Sequence, residues 1–383
     1  MTLASIGRFH FFEQARALAR ACALDRFYCD DPRVWMSAGA RRGRWLMRAG
    51  LLHRWAPVPA AGMLSWRGGQ VARSVGSARL VKINSAFALE TIRRGSAGEI
   101  WVDHGSLDER YVADRMRHEA ESWGDPLVAL GGNHGSPLIQ DREAEEFALA
   151  TGVVVASSLA ARTLVGQGVP PGKVRVVGLG VDAQRFAPRR WARPPGRFRI
   201  LHAGPVTFNK GVHRLLAAFR EAGLPGAELR IAGLVADARV GERLMRQASG
   251  LDVQFCPPVP QSMLPELFAG CDLFVLASLA DGFGLTVLQA MACELPVVVT
   301  DQCGCCEVIA GCPSVEVVRA GETATLAAAL VRAYQSRDES RGPAARCWAQ
   351  QLDWNAHACR LGQALGPEPA REELVLTRHG VPS

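Results

Sequence analysis

Two stretches of this sequence combine residue types that can hold a negatively charged ligand at short range. One is Gly204-Pro205-Val206-Thr207-Phe208-Asn209-Lys210-Gly211; the other is Ser278-Leu279-Ala280-Asp281-Gly282-Phe283-Gly284-Leu285-Thr286. Each follows an apolar run that reads as a strand and leads into a helical pattern. A helix N-terminus presents unpaired N–H groups and about half a unit of positive charge, which suits a phosphate. Gly282 and Gly284 carry no side chain, so the backbone there can approach a ligand closely. Lys210 adds a mobile full charge for phosphate oxygens. Asp281 can accept hydrogen bonds from sugar hydroxyls. Gln289 lies one helical turn beyond Leu285 on the same face, which brings its amide within reach of a ribose. Glycine-rich turns after strands occur in any α/β protein, and a lone lysine before a helix is usually solvated. The pattern gains force because both junctions belong to one sheet.

The elements around these junctions read clearly in the second half of the chain. Strands at 198–203, 228–232, 253–256, 272–277 and 297–300 alternate with helices at 212–222, 240–248, 262–269 and 284–292. The strands are apolar on both faces, as in a parallel sheet covered on both sides. The first half alternates too, with strands at 71–84, 99–103, 126–130, 152–157 and 174–177. Its helices are expected at 12–22, 113–123, 141–150 and 159–167. The fold class is therefore α/β, with two Rossmann-like doubly wound domains. Ligands of such sheets bind beyond the carboxyl ends of the strands, here the cleft between the domains. The expected division is a first domain at 1–187, which the resemblance described next makes the acceptor side, and a proline- and arginine-rich linker at 188–197. A nucleotide-binding domain at 198–350 follows, then a helix at 351–365 that packs back on the first domain, and a tail at 366–383.

The segment from Gly196 to Ile309 resembles the C-terminal half of the family-4 retaining glycosyltransferases, which have the GT-B fold. The resemblance rests on Ile200-Leu201-His202-Ala203-Gly204 with Lys210-Gly211, and on Leu229-Arg230-Ile231-Ala232-Gly233. It rests most on Asp281-Gly282-Phe283-Gly284 and Gln289-Ala290-Met291-Ala292-Cys293 through Pro296-Val297-Val298. Arg8-Phe9-His10, Ala156-Ser157-Ser158 and Val176 to Asp182 with Phe186 are similar more loosely. The resemblance implies a nucleoside-diphosphate-sugar donor site made of Gly204, Lys210, Asp281, Gly282, Phe283, Gly284, Leu285, Thr286 and Gln289. It implies catalytic roles for Lys210, Asp281 and His104, with His134 as a rival to His104 and Gly7 lining the acceptor side. The family has glutamate at both ends of an eight-residue step, where this chain has Asp281 and Gln289. Pro205 stands where an arginine commonly grips the diphosphate, and Glu294 replaces a usual glycine. Two functions stay open on this basis. One is a retaining transfer of sugar to a glycan or lipid-linked glycan, as in bacterial polysaccharide biosynthesis; the other is a non-catalytic or weakly active sugar-nucleotide binder. No general base is apparent at the donor site, so the departing phosphate is expected to take the acceptor proton.

Bulk properties bound these readings. At 383 residues, 48% hydrophobic and 21% charged, the chain fits two globular domains. No run approaches a membrane span, and Arg8 and His10 interrupt any signal-like start, so a cytoplasmic protein is expected. The eleven cysteines are an odd number, and several sit in apolar patterns. They read as small hydrophobes, and Cys303-Gly304-Cys305-Cys306 lacks the paired spacing of a metal site. No cofactor or metal is expected. The net charge of +7 favours phosphorylated ligands or anionic surfaces. Arg41, Arg42, Arg44, Arg48 and Arg54 interleave with Trp45, Ala49, Leu52 and Trp55 at helical spacing. That stretch, 41–55, reads either as a peripheral membrane contact or as a helix packed on the first domain. No nucleic-acid recognition motif accompanies the charge, so no nucleic-acid partner is expected.

Overall fold

The computed structural model describes residues 1–5, 10–21, 23–29, 60–130, 137–189, 197–235, 237–336 and 340–366. Gly7, His134, the stretch 41–55 and most of the linker lie outside the described residues. The first domain holds a six-stranded parallel sheet made of β1 (Thr2–Ser5), β2 (Arg26–Cys29), β3 (Leu80–Asn84), β4 (Glu99–His104), β5 (Gly152–Val155) and β6 (Val174–Val176), in the order β2-β1-β3-β4-β5-β6. The second sheet, also parallel and six-stranded, contains β7 (Phe198–Ala203), β8 (Ala227–Ala232), β9 (Val253–Cys256), β10 (Leu273–Leu276), β11 (Val297–Thr300) and β12 (Val315–Val318). Its order is β12-β11-β10-β7-β8-β9. The molecule is thus an α/β protein of two Rossmann-like units. Both faces of the central strands are buried, as the runs Leu-Phe-Val-Leu in β10 and Val-Val-Val-Thr in β11 require.

Strand order fixes where a ligand belongs. In the second sheet the chain adds β8 and β9 on one side of β7 and then crosses to place β10 on the other. The crevice between the carboxyl ends of β7 and β10 is the topological switch point, where open sheets of this kind bind ligands. The first sheet reverses between β1 and β3.

Two sequence expectations change. The stretch 71–84, read as one strand, is the end of a helix, Ala60–Val75, followed by β3. Val71, Ala72 and Val75 are buried on one helical face, and Gly76 at φ 56° ends the helix. The stretch 126–130, also read as a strand, is a 3-10 helix, Pro126–Leu130. Asp125 starts it by accepting a hydrogen bond from the Leu127 N–H at 3.0 Å. Glu294 adopts φ 65°, a left-handed conformation that favours the glycine expected there.

Several contacts join the domains. The helix Trp354–Leu365 lies against the helix Phe11–Arg20, and His357 Nδ1 is 2.8 Å from the carbonyl oxygen of Gly178. On the opposite side, Glu119 receives His213 Nε2 at 2.8 Å and Arg214 Nε at 2.5 Å, and Asp125 receives Arg243 at 2.7 Å. Among the described residues no helix is long and apolar enough to cross a membrane.

Candidate functional site

Both glycine-bearing junctions lie at the switch point of the second sheet. After β7 the chain runs through Gly204–Gly211 into the helix Val212–Ala222; after β10 it runs through Ser278–Gly284 into the helix Leu285–Ala292. The two loops touch. Gly211, at φ 67°, sits so close to β10 that a Cβ there would lie 1.8 Å from the Ala277 carbonyl oxygen. The Leu279 N–H donates to the Asn209 carbonyl at 2.8 Å.

Lys210 and Asp281 meet where the loops converge. Lys210 Nζ donates to Asp281 Oδ2 at 2.7 Å, and the side chains are 21% and 12% exposed, so the pair is largely buried and keeps only a small exposed fraction. The carboxylate is aimed by two further donors, Ser278 Oγ at 3.4 Å and the Phe283 N–H at 3.2 Å. Burial works to lower the Lys210 pKa, but the adjacent Asp281 carboxylate outweighs it and the pKa is raised, so the ammonium persists at neutral pH. Gly284, at φ 82°, forms the N-cap of the helix Leu285–Ala292. Leu285 and Thr286, in the first turn, are partly exposed, while Gln289 is buried. The thiols of Cys303 and Cys305 fill the space beneath this turn, 3.6 and 3.5 Å from a Cβ built on Gly284. Among the described residues, no cluster of three or more His, Cys, Asp or Glu side chains suits a metal ion.

The loop Ser278–Gly284 also reaches the first domain. Ser157 Oγ donates to the Gly282 carbonyl at 2.7 Å. A Cβ on Gly282 would stand 2.8 Å from the Gly105 carbonyl oxygen and 3.0 Å from Ser106 Cα. Because that clash is between domains, Gly282→Ala is expected to hold them apart without unfolding either. Turnover of a bound donor should fall at least about tenfold while the urea midpoint moves by less than about 1 kcal/mol equivalent. A large stability loss in that variant would place the strain inside one domain instead.

Phe283 and His104 do not sit as the sequence implied. Phe283 is 3% exposed, with its ring edge 3.9 Å from a Cβ built on Gly178, so its side chain packs the domain junction. Its contribution to the site is the N–H that holds Asp281. His104 was expected to point into the cleft. Instead its Nδ1 is 3.3 Å from Ser85 Oγ and 3.6 Å from Glu143, its ring lies edge-on to Phe147, and the residue is 3% exposed. A ring covered on all sides offers a sugar nothing to touch.

The preceding residue of β4 makes ion-pair contacts that sequence reasoning missed. Asp103 bridges Lys82 Nζ at 2.7 Å and His10 Nε2 at 2.7 Å. Neighbouring side chains of a strand point to opposite faces, which separates Asp103 from His104. The overlooked signal was Lys82, one charge inside the apolar strand Leu-Val-Lys-Ile-Asn. His202, in β7, was also missed. It is fully buried, and neither ring nitrogen has a hydrogen-bond partner among the described residues. Burial first, and the Lys210 charge second, push its pKa down to about 4.

That shift predicts an acid limb in stability. The depressed folded pKa means that the stability from neutral His202 is complete above the unfolded value near 6.5 and is lost as pH falls toward 4. The loss should reach about 3 kcal/mol, and His202→Gln should flatten that part of a ΔG-versus-pH curve measured by urea unfolding. An unchanged slope would contradict the assignment.

Residues 197–336 match the family model described as glycosyl transferases group 1. A D-inositol 3-phosphate glycosyltransferase of Arthrobacter sp. is 34% identical over 141 residues, 34% of this chain and 32% of that protein. A GDP-mannose-dependent alpha-(1-6)-phosphatidylinositol dimannoside mannosyltransferase of Mycobacterium tuberculosis is 30% identical over 203 residues, 50% of this chain and 51% of that protein. The chain thus spans from about a third to half the length of these relatives. Two solved structures share the whole architecture. Sucrose-phosphate synthase of Thermosynechococcus elongatus has TM-score 0.70 and 18% identity, covering 95% of this chain and 98% of its own. Anabaena Alr3699/HepE in complex with UDP and glucose has TM-score 0.67 and 16% identity, covering 95% and 99%. The fold is that of the GT-B glycosyltransferases.

Proposed function

We propose that this chain, whose residues 197–336 match the glycosyl transferases group 1 model, moves a sugar from a nucleoside diphosphate to a hydroxyl of a glycan or lipid-linked glycan. The observation that carries this reading is the Lys210–Asp281 pair, which joins the two loops at the switch point of the second sheet. When a sugar nucleotide enters, its diphosphate competes for the ammonium. Asp281, still aimed by Ser278 and the Phe283 N–H, is then released to accept hydrogen bonds from the sugar. An oxocarbenium-like transition state needs its departing diphosphate stabilised. Lys210 and the first turn of the helix Leu285–Ala292 supply that charge without a resident metal. With Pro205 in the position of a second cation, the grip rests on one side-chain charge and backbone N–H groups.

Retention of anomeric configuration belongs to this proposal. So does a phosphorylated or lipid-linked acceptor, which the names of the inositol-phosphate and phosphatidylinositol enzymes support. GDP-mannose and UDP-glucose are the first donors to try, since both are named among the similar proteins. Thermal-shift titration with UDP-, GDP- and ADP-sugars tests the reading. Saturation by the correct donor is expected to raise the transition by roughly 5 °C; no response to any of them sinks it.

A further inference from the structure

We propose that Cys306 and Cys303 are a site of oxidative modification, which peroxide converts to a disulfide that weakens sugar-nucleotide binding. The link to the donor rests on the sugar-transfer reading above. Three thiols gather after β11, on Cys303, Cys305 and Cys306. Their loop is hydrogen-bonded along its length to the loop that carries Asp281. The Asp281 N–H donates to the Gln302 carbonyl at 2.9 Å, the Gly304 N–H to the Asp281 carbonyl at 3.0 Å, and the Cys305 N–H to the Phe283 carbonyl at 2.7 Å. The packing leaves no slack. A Cβ on Gly304 would lie 2.2 Å from the Gly282 carbonyl oxygen and 2.4 Å from Ser157 Oγ of the first domain. On the same loop, Gln302 Oε1 accepts from the Tyr111 hydroxyl at 2.9 Å.

The three thiols differ in access. Cys303 and Cys305 are buried, whereas Cys306 is partly exposed and its Sγ donates to the Thr300 carbonyl at 3.2 Å. Burial pushes the Cys303 thiol up, and hydrogen bonding to Cys303 and Cys306, then burial, holds Cys305 well above the usual thiol range. The thiolate is the reacting form, so the accessible Cys306 is the point of entry and the buried pair is not. The backbone sets its partner. The Cys306 N–H donates to the Cys303 carbonyl at 3.1 Å, closing a turn that brings the two Cα atoms within about 7 Å, near the reach of a disulfide. A bond from Cys306 to Cys305 would close a ring around one peptide bond and force it from its planar trans form.

In the first step Cys306 loses its proton to solvent and its sulfur attacks one oxygen of hydrogen peroxide. The O–O bond breaks, and the departing hydroxide takes up a proton as water. Cys306 is then a sulfenic acid. Cys303 loses its proton, its sulfur attacks that of Cys306, the S–O bond breaks and a second water leaves. Two thiols and one peroxide thus give one disulfide and two waters; a dithiol reverses the change by exchange. The new bond draws the Cys303 sulfur from beneath Gly284 and the Cys306 sulfur from the Thr300 carbonyl. Cys303 is bridged to Asp281, so the backbone that shifts with it is the one that aims the carboxylate and leads into the helix Leu285–Ala292.

Two measurements decide the proposal. The whole chain is treated with hydrogen peroxide at neutral pH, its remaining thiols are alkylated, and it is cut after glutamate. The fragment 295–307 holds Cys303, Cys305 and Cys306 and no other cysteine. Mass spectrometry is expected to find a single alkyl group, on Cys305, with Cys303 and Cys306 joined. Three alkyl groups, or a bond that includes Cys305, overturn the proposal. Calorimetric titration with UDP-glucose and GDP-mannose then compares the reduced, oxidised and re-reduced forms. Oxidation should weaken donor binding by about tenfold or more, and dithiothreitol should restore it. Cys306→Ser should bind within about twofold of the reduced parent both before and after peroxide. Oxidised parent that binds as tightly as the reduced form overturns the control of binding, as does an equal loss in Cys306→Ser. If Cys306→Ser fails to fold, the peptide map and the re-reduction of the parent decide. A reduced parent that binds neither donor defeats the sugar-transfer reading and the control of binding with it. A donor-binding parent that forms no disulfide defeats the redox pair alone and leaves the sugar-nucleotide site standing.

Discussion

Lys210→Ala is expected to reduce turnover by about 10²–10³-fold, the size seen when one preorganised charge is removed from a developing anion. Lys210 is the side-chain cation that the junction loops bring to the switch point, and Pro205 supplies no second one. On the proposed reading, its loss leaves the diphosphate to the backbone N–H groups of a single short helix. Stability should change far less. Asp281 keeps Ser278 Oγ and the Phe283 N–H, and both members of the broken pair are partly exposed. A cost of about 1 kcal/mol is appropriate for such a pair. The comparison is made by steady-state kinetics with the donor found by thermal shift, beside urea unfolding of the same preparations. Turnover within fivefold of the parent would remove Lys210 from the site.

Gly211→Ala should have the opposite signature, a large loss of stability. Its φ of 67° already disfavours a side chain, and the Cβ would stand 1.8 Å from the Ala277 carbonyl oxygen, a backbone atom at the end of β10 that has no room to retreat. Strain and displacement together should cost about 3–5 kcal/mol. Gly223 provides the control, because at φ 55° its nearest heavy atom is 4.0 Å from the built Cβ. Gly223→Ala therefore meets only the backbone penalty, about 1 kcal/mol. Urea midpoints measure both. Equal effects would show that the contact with β10 does not matter.

The second domain was legible because its central strands β10 and β11 are short, largely apolar runs, and because its helices keep their period. The span Val212–Ala222 was read to the residue. The first domain was harder. Val71 to Val75 is β-branched enough to read as strand, and only the packing of its 3–4 spacing reveals a helix. At the site, Lys210, Asp281 and Gly284 were readable from their junctions. The burial of His104 was not, since nothing local phases the end of β4. Lys82 resolves it, but its partner lies in the next strand, and that pairing exists only once the sheet forms. Phe283 entered the donor site through the resemblance alone; its buried ring lies near Gly178, from the other domain.

The most direct test is a crystal structure of the chain with the nucleoside diphosphate that shifts its stability most. The diphosphate is expected at the carboxyl ends of β7 and β10, within hydrogen-bond distance of Lys210 Nζ and the backbone N–H groups of Leu285 and Thr286, with the Lys210–Asp281 contact opened. A diphosphate bound elsewhere, with that contact intact, would contradict the account.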